Sequence, residues 1–202
     1  MEGTEEKSVV RLVEGQSTRE PDIVSVEAAL SMFVSLREMG SHSIGLTMRT
    51  PGHDEQLAMG FLHSEGIIDS IADIVGVDAT DDSITVHLTP GVAFEPDEHA
   101  RKSTITSSCG ICGKDSISNL LHIHGPPLSE SFNIDLKDVS NAVASLRSHQ
   151  GIFELTGGSH ACARVLSEGV IIDACEDIGR HNAMDKLIGN ALKLGQIPIS
   201  EE

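Results

Sequence analysis

Short stretches of strand-like and helix-like hydrophobicity alternate along this chain, and a turn residue ends each one before it grows long. That pattern leaves room for neither an all-helical bundle nor a long coiled coil, and it points to a mixed α/β fold. Strand-like runs fall at residues 9–13, 23–26, 31–36 and 43–49, the last closed by Pro51. Two more, at 74–77 and 83–88, flank Asp81-Asp82, and a final pair at 161–166 and 170–174 flanks Ser167-Glu168-Gly169 as a hairpin. Between them lie helical patterns. Asp54 and Glu55 open one whose Leu57, Phe61 and Leu62 share a face, and Gly66 stops it. Asp135 can cap a second, with Leu136, Val139, Val143 and Leu146 at helical spacing. The last spans about 182–194, with Met184, Leu187, Ile188, Ala191 and Leu192 as its expected buried face and Gly195 after it.

At 202 residues the chain is long enough to bury a real core. Residues 1–7 read as a polar tail, so 1–20 is taken as tail plus first strand and 21–202 as one domain. No apolar run reaches the ~18 residues of a membrane span. The Glu-rich N-terminus has no basic and apolar leader, so the chain is expected in the cytoplasm. A net charge of −17 repels phosphate backbones and anionic membrane surfaces. With no Trp or Tyr there is no stacking platform for single strands, so neither nucleic acid nor membrane is an expected partner. Four cysteines are too few for a disulfide scaffold.

Chemistry concentrates in the connections. Ser107-Ser108-Cys109-Gly110-Ile111-Cys112-Gly113 places two thiols three positions apart in a small, polar stretch read as an exposed loop. Such a pair can hold a metal, close a disulfide or pass sulfur. The plainest alternative is half of a structural zinc site, completed by Cys162, Cys175 or His160. Cys162 and Cys175 stand in or beside expected strands, where a small buried side chain is their simplest role. The run Glu176-Asp177-Ile178-Gly179-Arg180-His181-Asn182-Ala183-Met184-Asp185-Lys186 opens the last helix with a dense set of donors. It suits an anion such as a phosphate, or equally plain helix capping by Asp177 or Asn182. Thr156-Gly157-Gly158-Ser159-His160 lets a backbone approach a ligand closely with an imidazole beside it, or simply makes a turn. His63-Ser64-Glu65 together with Cys109 and Cys112 is similar to the zinc deaminases, although Ser108 stands where a Pro is wanted and the gap is long. His63, beside Phe61 and Leu62, fits a packed histidine better.

Taken in order, five blocks closely resemble the formate dehydrogenase accessory sulfurtransferase family, FdhD. They are Thr50-Pro51-Gly52-His53-Asp54-Glu55-Gln56-Leu57-Ala58-Met59-Gly60-Phe61-Leu62, then Glu65-Gly66-Ile67-Ile68, then the Cys109–Cys112 motif, then residues 156–160, then residues 176–189. The resemblance implies a cytidine deaminase-like α/β sandwich with a mixed sheet, in a cytoplasmic protein that is commonly a homodimer. It also implies a sulfurtransferase that takes persulfide sulfur from a cysteine desulfurase and delivers it to the molybdenum (or tungsten) bis-guanine-dinucleotide cofactor of formate dehydrogenase. By position, Cys109 corresponds to the persulfide-bearing cysteine and Cys112 to its partner. No permanently bound metal is expected.

The chemistry of the acceptor adds a requirement. A phosphate-rich cofactor approaching a chain of charge −17 needs a local cationic, donor-rich pocket. Gly157, Gly158, His160, Arg180, His181, Asn182 and Lys186 are the candidates for it. Family members continue past the last helix into further strands, a Ser-Gly-Arg segment and a basic stretch. This chain stops at Ile199-Ser200-Glu201-Glu202 and is read as C-terminally short, with any sheet edge left open expected to be covered by dimerisation. Two other functions compete. One is a zinc-dependent deaminase-like hydrolase using His63, Glu65, Cys109 and Cys112; the other is a non-catalytic docking module.

Overall fold

The computed structural model describes residues 1–37, 40–94, 133–197 and 199. The Cys109–Cys112 motif and the loop expected at 90–99 beyond Phe94 lie outside the described residues.

The chain opens with an antiparallel pair, β1 (Thr4–Val13) and β2 (Gln16–Ser25), registered from Thr4 opposite Ser25 to Val13 opposite Gln16. This corrects the reading of residues 1–7 as a tail. The strand is polar, and opposite charges across the pair replace an apolar face: Arg11 bonds Glu20, and Lys7 faces Asp22. Gly3 anchors its start. It is buried at φ +79°, its carbonyl accepts the Val26 N–H at 2.9 Å, and a Cβ there would lie 2.6 Å from Thr50.

Next come β3 (Ala28–Leu36), β4 (Gly40–Arg49), α1 (Asp54–Ser64), β5 (Ile74–Ala79) and β6 (Ser83–Leu88). The four strands form one sheet in the order β4-β3-β6-β5. It is mixed: β3 runs parallel to β6, while the β3–β4 and β5–β6 pairs are antiparallel. Alternation dictates its buried face. Leu30, Met32, Val34 and Leu36 of β3 and Ile84, Val86 and Leu88 of β6 point inward, with Met32 opposite Ile84 and Val34 opposite Val86. Leu57, Ala58, Met59, Phe61 and Leu62 of α1 join the same core.

After the undescribed stretch come α2 (Leu136–Leu146), a single-turn helix α3 (Gly151–Thr156), the antiparallel pair β7 (His160–Val165) and β8 (Ile171–Asp177), and α4 (Arg180–Lys193). Asp135 is the N-cap of α2, but its side chain makes no capping bond, and the stripe of Leu136, Val139 and Val143 is exposed. The expected mixed α/β architecture is therefore present.

Two glycines set how closely α1 and α4 cross. A Cβ on Gly60 would lie 1.8 Å from the Asp185 carbonyl oxygen, and one on Gly189 would lie 1.9 Å from that of Gln56. No side chain fits at either point, so the backbones touch there. Lys193 of α4 reaches Glu55 of α1 at 2.5 Å alongside this crossing.

Candidate functional site

Two sequence-distant pieces meet where β4 ends and where β8 gives way to α4. The centre is Asp177, fully buried at the end of β8. Its Oδ2 accepts the Thr50 backbone N–H at 3.1 Å and pairs with Lys186 Nζ at 2.7 Å. Its Oδ1 accepts the Gly179 N–H at 2.8 Å and the Asn182 amide at 3.0 Å. A buried carboxylate needs this full set of donors to offset its lost hydration.

Thr50 closes the other side of the network. Its hydroxyl accepts the Ile178 N–H at 2.9 Å, and its carbonyl accepts Lys186 Nζ at 2.8 Å. Asn182 adds a bond to the Met48 carbonyl at 2.7 Å and receives the Thr47 hydroxyl at 3.1 Å. The Thr50-Pro51-Gly52 block and the helix-opening block are thus fastened together by buried polar contacts.

This placement divides the candidates. Lys186 is 1% exposed with its ammonium held by Asp177 and Thr50, and Asn182 is likewise enclosed, so both build the frame of the site. Arg180 and His181, in the first turn of α4, are exposed. Gly179, the α4 N-cap, is buried against Asn182, and a Cβ there would lie 3.0 Å from the Asn182 nitrogen. His160 is exposed at the start of β7, in register opposite Asp177. The structure therefore brings His160, Arg180 and His181 to one end of the β7–β8 hairpin.

The double-glycine turn is fixed from behind. Glu176 accepts the Ile152 and Phe153 N–H groups at 2.9 Å each and the Ser159 hydroxyl at 2.8 Å, which holds α3 against β8. Gly157 ends α3 at φ +65°. Gly158 packs so near Ser25 that a Cβ would lie 2.8 Å from its hydroxyl. Both glycines are exposed to solvent.

The His63 ring meets the Ile68 carbonyl at 3.1 Å, which is the packed histidine expected. Cys162 and Cys175 sit directly opposite each other on β7 and β8 and are half-buried. Burial pushes both thiols up, Cys175 to about 11, with Asp185 adding to the effect at Cys162 and Asp173 at Cys175. Neither has the lowered pKa of a nucleophilic thiol.

One central residue was not singled out from the sequence. Arg49, the last residue of β4, is 2% exposed and forms a two-pronged pair with Asp54 at 2.9 and 2.8 Å. It also donates to the Asp81 carbonyl at 2.9 Å. The only signal was an arginine five positions before an aspartate across Thr-Pro-Gly. An open groove of about 650 Å³ lies beside this pair, lined by Glu2, Gly52, His53 and Thr80 among others and by none of the candidates among the described residues.

Comparison with known proteins gives a consistent picture. "Sulfur carrier protein FdhD" of Streptomyces avermitilis is 35% identical over 209 residues, covering 98% of this chain and 72% of that protein. The protein of the same name from Sulfolobus acidocaldarius is 35% identical over 198 residues, covering 96% and 71%. The fold is similar to the crystal structure of a protein described as a formate dehydrogenase accessory protein from Desulfotalea psychrophila. The TM-score is 0.71 at 20% identity, over 98% of this chain and 73% of that one. Residues 26–200 match the model of the FdhD/NarQ family, and with these identities over nearly its whole length the chain belongs to that family.

Proposed function

We propose that this chain is a sulfur carrier for formate dehydrogenase maturation: a sulfurtransferase that accepts sulfur from a cysteine desulfurase as a persulfide on Cys109. The observation that carries the reading is the presence of a Cys-x-x-Cys motif in a chain whose relatives are named sulfur carriers. In the first step the Cys109 thiolate attacks the outer sulfur of the donor persulfide. An S–S bond forms at Cys109, and the donor cysteine leaves as its thiolate. Cys112 can then receive that outer sulfur by the same exchange, or stand as the thiol that helps release it.

The acceptor, and so the substrate, is the guanine-dinucleotide form of the molybdenum (or tungsten) cofactor. Its phosphates find donors in the first turn of α4, where Arg180 and His181 are exposed and the helix dipole favours an anion. His160, Gly157 and Gly158, exposed at the same end of the β7–β8 hairpin, supply further contacts. Asn182 and Lys186 hold that turn in place through Asp177 rather than meeting the ligand. The β1–β2 hairpin runs across the boundary expected at residue 20, so it joins residues 21–202 in one sulfurtransferase domain, and the protein works in the cytoplasm as a homodimer. Among the described residues no helix is long and apolar enough to cross a membrane.

The test is activation of formate dehydrogenase in cells or extracts lacking the endogenous carrier. Cys109→Ala should abolish activation while the far-UV spectrum stays unchanged, and Cys112→Ala should impair it. Full activation by Cys109→Ala overturns the reading.

A further inference from the structure

Besides Cys109 and Cys112, the sequence has two more cysteines, Cys162 on β7 and Cys175 on β8. Cys162 and Cys175 are directly opposite in the antiparallel β7–β8 register and both are free thiols. Directly opposed residues of an antiparallel pair point to the same face, with Cα atoms about 4.5–5.5 Å apart. That separation lies within the range a disulfide spans. Both thiols face α4: Cys162 Sγ lies 4.0 Å from the Arg180 carbonyl oxygen, and Cys175 feels the charge of Lys186.

We propose that Cys162 and Cys175 are a modification site, a cross-strand dithiol that closes to a disulfide by exchange with a low-molecular-weight disulfide. One thiol, as its thiolate, attacks the small disulfide, forming a mixed disulfide and releasing one small thiol. The second thiolate attacks the protein sulfur of that adduct, forming the Cys162–Cys175 bond and releasing the other small thiol. Two protein thiols are oxidised and one small disulfide is reduced to two thiols, so electrons and protons balance. The bond staples the hairpin whose end carries His160 and Asp177, beneath the first turn of α4. Because burial raises both thiols, exchange is slow at neutral pH and speeds up as pH rises toward 9. This inference does not rest on the sulfur-carrier reading.

The experiment uses the full chain carrying Cys109→Ala and Cys112→Ala, which leaves Cys162 and Cys175 as its only thiols. It is incubated with oxidised glutathione, folded and in denaturing urea, and read by intact mass and tryptic mapping. Trypsin cuts at Arg164, between the two cysteines, so a bond joins two separate peptides. The folded protein should lose both thiols together with a mass fall of about 2 Da, and the linked peptides should appear. The disulfide should form at least about tenfold more favourably in the folded chain than in urea, because the register holds the thiols together. Adding Cys175→Ala should stop the reaction at a single glutathione adduct. Two unlinked adducts, untouched thiols after exhaustive oxidation, or equal disulfide formation in urea would each overturn the proposal. Mapping of the wild-type chain gives the same readout if the alanine variant does not fold.

Discussion

At the scale of single residues, similar side chains separate by what holds them. Lys186 and Arg180 both belong to the helix-opening block, yet one is enclosed by Asp177 and Thr50 and the other is exposed. Lys186→Met leaves the Asp177 carboxylate buried without its counter-charge, and urea unfolding should show a loss of about 3–5 kcal/mol. Arg180→Ala should leave stability within about 0.5 kcal/mol. By calorimetry it should weaken guanine-nucleotide binding about tenfold, the loss of roughly one charged contact. Unchanged affinity removes the α4 turn from the site. Cys175 gives the pH prediction. Its thiol is pushed above its ordinary 9.0 to about 11 in the fold, so the folded chain holds more protons than the unfolded one between those values. Its stabilising contribution is complete below pH 9 and is lost as pH rises through about 11. Cys175→Ala should flatten the fall in melting temperature across that window.

Among elements, regular alternation was the legible part. Met32, Val34 and Leu36 announced β3, and Ile84, Val86 and Leu88 announced β6, because apolar side chains on every second residue leave one way to face a core. The start of β1 was hidden because it is polar and pairs across charges such as Lys7 opposite Asp22, which meet only once β2 is beside it. The last helix was found, but its buried face was not read fully. Met184 is 48% exposed, while Asn182 and Lys186 are buried, since their partners Thr47, Met48 and Thr50 lie some 130 positions earlier. Helical periodicity records hydrophobicity and is blind to such polar partners. The α1–α4 crossing adds a prediction of its own. Gly60→Ala and Gly189→Ala each drive a methyl group into a backbone carbonyl, forcing the helices apart. Each should cost about 1–3 kcal/mol in urea unfolding, as overpacking of a close contact does. A change below about 0.5 kcal/mol would show that the crossing tolerates a wider spacing.

For the whole molecule, the fold converts the described blocks at residues 50–62 and 156–189 into one assembly. The Thr50 segment, the β8 end and α4 are fastened through Asp177, and Glu176 ties the double-glycine turn to the same strand. Family membership was legible because those blocks come in order, although their mutual contacts could only be seen in the structure. A chain of charge −17 that presents Arg180, His181 and His160 at one end of a hairpin has a local region suited to an anion. The central claim is that Cys109 carries sulfur, and it is tested most directly by mass spectrometry. The chain is incubated with a cysteine desulfurase and sulfur-labelled cysteine, then digested. One labelled sulfur is expected on the peptide of residues 103–114, absent in Cys109→Ala. An unmodified peptide from the wild-type chain, under conditions where the desulfurase itself carries label, would contradict it.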